Sequence, residues 1–257
     1  MKGYAAFNKG LIYRGKRYAE NTVFEENTEI YGKGMPFYKN PLDLFSGCPL
    51  VDNKGDFIEF AEIEALDSAK TDDGKRFYTK KLKIGTKLSL WQLKSQIKAS
   101  DSETLIGGHY AKFIGGERAK LVGEDCTTLV GGNDSKLIGR YEAKLIGGNN
   151  ATLVGGKWAT LVGSDNAKLI GEYKARLAGG DNATLVGDKY ATLAGGENAI
   201  IVGDDRSVAK GKKGAIILLI ERDDNMDIVN FKAVQVDGKK IKEDVLYKLE
   251  NGELIQV

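Results

Sequence analysis

Residues 119–150 read AKLVGEDC, TTLVGGND, SKLIGRYE and AKLIGGNN, four octads in which the same places carry the same chemistry. Glycine holds the fifth place of each, and the file runs in both directions at every eighth position from Gly107 to Gly211. Two residues before each glycine up to Gly203 stands a large apolar side chain, leucine except at Phe113 and Ile201. Two residues earlier again, from Ala111 to Ala199, stands alanine, replaced by Thr127 and Ser135.

A fixed repeat takes precedence over any local reading. Within each octad the A-x-L pattern has period two, so alanine and leucine point to one side of a short strand and the residue between them to the other. Such strands are too short and too sparse in apolar side chains to live as hairpins, but they can stack on copies of themselves. This predicts a β-solenoid. The turns alternate between GGND, GGNN, GSDN, GGDN or GGEN and GRYE, GGKW, GEYK or GDKY, so two octads make one 16-residue coil. The stretch from Leu105 to Gly211 then holds between six and seven coils. At the ~4.8 Å spacing of stacked strands the rod is roughly 30 Å long.

Composition excludes several classes. Glycine is abundant but does not recur every third residue, which excludes collagen, and no run of ~18 apolar residues marks a membrane helix. The opening MKGYAAFNKG lacks an apolar core and predicts no secretory leader. Cys48 and Cys126 are too few for a disulfide framework and suit a reducing compartment, and with one histidine a zinc site is not expected. Net charges of +4 over residues 1–100, −1 over 101–211 and −1 over 212–257 give no basic stripe for nucleic acid.

The turns suggest two roles. Asp134, Asn150, Asn166, Asn182 and Asn198 are suited to left-handed backbone and to side-chain hydrogen bonds running up the stack. Tyr110, Trp158 and Tyr190 hold the corresponding place of the opposite turn, with Tyr141 and Tyr173 one residue earlier, a file that could grip another chain or a sugar. Strict alternation turns Ile106, Val122, Ile138, Val154, Ile170, Val186 and Val202 outward on one face. A contiguous apolar ridge of this kind predicts a homodimer through an isologous contact; early bending at each glycine would instead tuck these side chains into core corners.

The two-octad coil with glycine near each corner resembles the central repeat of bacterial ice-nucleation proteins, which implies solenoid architecture. There the outward places form a T-x-T array. Here Lys120, Lys136 and Lys168 interrupt the threonines, and such strongly hydrated cations disfavour an ice-binding surface.

Both ends are read as separate modules. Residues 1–86 mix short strands with little helix and form an α+β head. KLSLWQLKSQIKAS, Lys87–Ser100, sets Leu90, Leu93 and Ile97 on one helical face and predicts a capping helix and linker over 87–102. The solenoid occupies 103–211, and 212–257 forms a β cap containing AIILLIE, IVNFKAVQV and an Asn251-Gly252 hairpin turn. MKGYAAFNKGLIYRGKRY, MPFYKNPLDLF and FAEIEAL, together with the ending YKLENGELIQV, are similar to an uncharacterised domain family of phages and low-GC Gram-positive bacteria. The resemblance implies a phage-associated setting and no known activity.

Arg14, Phe37-Tyr38 and the Glu62-Ile63-Glu64 triplet follow the order that ADP-ribosyltransferases use for an arginine that grips NAD phosphate, an aromatic strand and an E-x-E pair. Lys39-Asn40-Pro41 stands where the supporting S-T-S would be, and Asn40-Pro41 reads better as a helix start. No G-x-S-x-G, Walker loop, H-E-x-x-H or EF-hand occurs, and His109 lacks a relay partner. The expectation is therefore a protein-binding scaffold with no cofactor, no metal, no nucleic acid and no membrane, either cytoplasmic in a phage-infected bacterial cell or in the virion. An NAD-handling head carrying Arg14, Glu62 and Glu64 is the alternative.

Overall fold

The computed structural model describes residues 1–26, 34–97 and 100–257. The chain divides into two compact units, Met1–Asp52 with Phe57–Lys98, and Asn53–Asp56 with Ala99–Val257.

The first unit is an α+β head. Its strands are β1 (Lys2–Phe7), β2 (Ile12–Tyr13), β3 (Lys16–Arg17), β4 (Val23–Glu25), β5 (Met35–Tyr38), β6 (Glu59–Ala65), β7 (Lys70–Thr71), β8 (Arg76–Thr79) and β9 (Lys81–Leu88), with helices α1 (Pro41–Gly47) and α2 (Leu90–Ser95). Seven strands form one antiparallel sheet in the order β4-β9-β6-β1-β5-β8-β7, while β2 and β3 make a separate hairpin. Alternation puts Ala5, Phe7, Ile63 and Ala65 into a core with Phe37 and Ile84 on one side of the sheet. Phe45 of α1 meets Phe60 edge-on at 5.9 Å on the other. Asn40 caps α1 by accepting from the Leu42 N–H at 2.8 Å, with Pro41 at the first helical place, as the sequence predicts. Helix α2 is shorter than the amphipathic pattern suggests. Ser89 and Gln92 close a capping box at its start, and Leu90 and Leu93 are buried. It packs on β6 and β9 and groups with the head rather than with the solenoid it was expected to cap. Lys98 and Ala99 lie outside the described residues.

The second unit is a β-solenoid with a C-terminal β cap, and the protein is mainly β as predicted. In chain order its strands are β10 (Thr104–Gly107), β11 (Lys112–Ile114), β12 (Lys120–Gly123), β13 (Thr128–Val130), β14 (Lys136–Gly139), β15 (Lys144–Ile146), β16 (Thr152–Gly155), β17 (Thr160–Val162), β18 (Lys168–Gly171), β19 (Arg176–Ala178), β20 (Thr184–Gly187), β21 (Thr192–Ala194), β22 (Ile200–Gly203) and β23 (Val208–Lys210). The cap adds β24 (Ile216–Arg222), β25 (Ile228–Gln235), β26 (Tyr247–Glu250) and β27 (Glu253–Gln256).

Even-numbered strands stack in parallel into a first nine-stranded sheet that ends with β24 and β25, and odd-numbered ones into a second that ends with β26 and β27. The register step is one coil: Leu121 lies beside Leu137, Leu137 beside Leu153 and Leu153 beside Leu169. All four leucines are fully buried, as are Ala143, Ala151, Ala159 and Ala167, so the inward file is the one the sequence names. Close approach explains the octad glycine. A Cβ on Gly171 would come within 2.6 Å of the Ala175 Cβ and 2.7 Å of Leu177 Cδ1. The core is a stack of Ala-Leu pairs with no space at the corners.

The cap is tied by one carboxylate. Glu221 accepts from Asn230 Nδ2 at 2.8 Å, from the Asn251 N–H at 2.8 Å and from the Gly252 N–H at 2.9 Å, which joins its two hairpins. These donors hold its carboxyl below the ordinary carboxylate range. Asn251 and Gly252 both take positive φ, 52° and 73°, the backbone an Asn-Gly hairpin turn requires. Within the same unit the buried Lys210 ammonium pairs with Asp56 at 2.7 Å.

Candidate functional site

Three places hold the residues singled out from sequence. The first is the outer surface of the first sheet. Ile106, Ile138, Ile170 and Val186 are 74, 46, 47 and 38% exposed, and Val122, Val154 and Val202 are half-buried, so none is drawn into a core corner. The neighbouring outward file carries Lys120, Lys136 and Lys168, then changes to Ile200 and Ile216, both exposed. Beyond Ile216 the same surface continues across β24 and β25, where Phe231 stands beside Ile220. The corresponding file of the second sheet differs: Ile114 is half-buried, and Val130, Ile146, Val162 and Ala178 are buried.

The second place is the pair of turn columns. Asp134, Asn150, Asn166, Asn182 and Asn198 take φ between 55° and 57°, the left-handed geometry expected of them. The side-chain bonds that climb this column come from the residue before. Asn133 Oδ1 accepts from the Asn149 N–H at 3.0 Å, Asp165 Oδ1 from Asp181 at 3.0 Å and Asp181 Oδ1 from Glu197 at 2.8 Å. This corrects the expected ladder by one place. The acceptor is the residue before the left-handed place, and the donor is the N–H of its counterpart one coil on.

In the opposite column the left-handed place is taken by Tyr110, Cys126, Glu142, Trp158, Lys174, Tyr190 and Arg206, with φ from 55° to 63°. Lys174 Nζ lies 4.5 Å from the Trp158 ring centre, 5.2 Å from that of Tyr173 and 5.8 Å from that of Tyr190. Tyr173 meets Trp158 and Tyr190 edge-on at 6.3 and 5.5 Å, and Arg206 stacks 5.5 Å above Tyr190. The aromatics named from sequence are thus brought together, except for Tyr110 and Tyr141 lower in the stack. Lys174 and Arg206 were missed, although alternation of ring and cation at one repeat place is visible in the sequence. At the foot, His109 bridges Glu124 at 3.0 Å and Asp125 at 3.5 Å as a turn residue.

The third place is a cleft of about 420 Å³ on the head, lined by Lys2, Tyr4, Lys39, Glu62, Glu64 and Lys83 among others. Cross-strand register sets Lys2 opposite Glu64 and Glu64 opposite Lys83. Burial and the Glu62 carboxylate push the Tyr4 phenol upward. Arg14 does not join the two glutamates. It sits at φ 48° in the turn of the β2–β3 hairpin, a separate sheet, with its guanidinium 5.3 Å from the Tyr13 ring. Sequence order alone suggested the constellation, and the independent hairpin breaks it.

Residues 1–96 match the model of a family described as a domain of unknown function, DUF7666. No curated protein and no solved structure matches the chain. Among the described residues no group of His, Cys, Asp and Glu is placed to hold a metal ion, and no helix is long and apolar enough to cross a membrane.

Proposed function

We propose that this is a non-enzymatic, phage-type binding and scaffold protein, in which a rigid solenoid presents a head module for protein contacts and two copies associate through the bare surface of the first sheet. The observation that carries the reading is the exposed file Ile106, Ile138, Ile170 and Val186, with Ile200 and Ile216 exposed in the file beside it. Monomers seldom leave such a contiguous ridge wet. The proposed setting is the infected bacterial cytoplasm or the virion, which the resemblance of MKGYAAFNKGLIYRGKRY, MPFYKNPLDLF and YKLENGELIQV to an uncharacterised phage family implies. Light scattering over a hundredfold concentration range tests the association. The expected mass is twice that of the chain, and a monomer throughout would overturn the reading.

A second reading is favoured by one observation, that Glu62 and Glu64 both line the head cleft. In an NAD-handling head, Glu64 would stabilise the positive charge developing on the sugar. Purified protein that consumes NAD, and loses this on Glu64→Gln with its fold intact, would establish an enzyme and displace the scaffold reading.

A further inference from the structure

The head cleft of about 420 Å³ holds a row of opposite charges that do not close on one another. Strand register sets Lys2 of β1, Glu64 of β6 and Lys83 of β9 side by side. Directly opposed places on neighbouring strands bring Cβ atoms within ~5.5 Å, well inside the reach of a lysine for a carboxylate. Elsewhere on β9 that reach is used: Lys81 pairs with Glu25 at 3.0 Å and Lys87 with Glu59 at 2.7 Å. In the cleft it is not. Among the described residues the side chains of Lys2, Lys83, Glu62 and Glu64 make no ion pair and no hydrogen bond.

The backbone leaves room beside these groups. Strands β6 and β9 shift register between Ala61 and Ile63, so that Gly85 and Thr86 together span Glu62. A bulge of this kind re-aims side chains and recurs beside functional sites. Glycine inside a strand weakens it and often marks a close approach by another group. A Cβ on Gly85 would stand 3.2 Å from that of Glu62 and narrow the cleft that both line. Tyr4, opposite Glu62, is steadied by donating its hydroxyl to Gln96.

We propose that this cleft binds a sugar phosphate, free or as part of a nucleotide. The class follows from what the groups can satisfy. An apolar molecule would strip water from these charges and return no hydrogen bond. A bare anion meets the glutamates, and a bare cation meets the lysines. A phosphate ester offers its anion to Lys2 and Lys83, while its sugar offers hydroxyl donors to Glu62 and Glu64, which as carboxylates only accept. Lys39 also lines the cleft, with its ammonium 4.6 Å from the Phe77 ring centre. Ammonium groups therefore outnumber carboxylates, which favours a ligand of net negative charge over a neutral zwitterion. The volume suits a small molecule. Such binding goes beyond the scaffold reading, and although it fills the cleft of the NAD-handling reading it requires no turnover.

Calorimetric titration of the full chain at low salt tests the site, with glucose 6-phosphate and AMP as probes and with glucose, inorganic phosphate and glycine as references. At least one ester is expected to bind about tenfold tighter than every reference. Binding of AMP alone would name a nucleotide as the source, and binding of glucose 6-phosphate would name a free sugar phosphate. Lys83→Gln and Glu64→Gln are each expected to weaken the ester about tenfold with an unchanged melting temperature, because both side chains are exposed. Lys81→Gln, outside the cleft, is expected to leave affinity unchanged. Silence from both esters, or inorganic phosphate or glycine binding as tightly as they do, would overturn the assignment. So would a loss in Lys81→Gln equal to that in Lys83→Gln, which would mark diffuse attraction to a charged surface. NAD consumption is followed separately: esters bound without it remove only the enzymatic reading, and Glu64-dependent consumption without ester binding removes only this one.

Discussion

The two turn columns of the solenoid share one backbone and differ in nearly every side chain. Both hold a non-glycine residue at φ near 56° in coil after coil. Above Ser102 and Arg118, one fills that place with Asp134, Asn150, Asn166, Asn182 and Asn198, whose short polar side chains tolerate left-handed geometry at little cost. The other fills it with Cys126, Glu142, Trp158, Lys174, Tyr190 and Arg206, for which the same backbone costs roughly 1 kcal/mol or more each. The difference teaches that the second column keeps its side chains for contacts asparagine could not make. From Trp158 upward those contacts are visible as rings alternating with cations. A cation over a ring contributes about 0.5–1 kcal/mol at exposed sites, close to the backbone cost it offsets.

Both columns hang on one core, so the largest effect lies there. Leu153→Asp would bury a carboxylate between coils with no partner, costing several kcal/mol, and should melt both columns together in a thermal scan monitored by circular dichroism. Loss of one column with retention of the other would mean that the coils are not a single cooperative stack.

Exchanging residues between columns comes next. Asn166→Tyr places a ring in the asparagine column, where no cation waits, and should destabilise by about 1 kcal/mol in a denaturant titration. Cys126→Asn, the reverse change below the ring-and-cation stack, should stabilise by up to ~1 kcal/mol. Equal and negligible effects in both would show that the columns are interchangeable and would remove the basis of the comparison.

Lys174→Asn sharpens the account of compensation. The variant gains an easier left-handed backbone and loses the contacts with Trp158, Tyr173 and Tyr190, so the net change should lie within about 0.5 kcal/mol of zero. Trp158 fluorescence should nevertheless shift as its cation leaves. A gain as large as that expected for Cys126→Asn would mean that the stack contributes nothing.

The smallest effect is on reactivity. Partial burial, then the carboxylates of Glu142 and Asp125, push the Cys126 thiol up, because each disfavours the thiolate. In a Cys48→Ser background, alkylation of Cys126 should therefore rise with pH later than that of an unperturbed cysteine. Glu142→Gln removes a neighbouring negative charge and should move the profile to lower pH, with a few-fold faster reaction near pH 8. An unmoved profile would show that burial alone sets the thiol.

What the sequence determined by itself is the coil. The strand pairings of the solenoid repeat at a step of sixteen residues, so the fifth-place glycine, the leucine two places before it and the alanine four places before it specify inward face, register and turn position locally, copy after copy. The alternation that faced Ile138 and Ile170 outward needed nothing from the rest of the chain. The tertiary structure decided whatever depends on neighbours that do not repeat. In the head, pairings such as Lys2 with Glu64 and Tyr4 with Tyr38 join distant segments without any period, so the order β4-β9-β6-β1-β5-β8-β7 could not be read off the chain. For the same reason Arg14 looked like a partner of Glu62 and Glu64 until its hairpin placed it elsewhere. Even within the solenoid, the repeat did not say which of two adjacent turn residues carries the ladder bond. A sequence pattern fixes spacing, whereas direction and company are settled only when the chain has closed on itself.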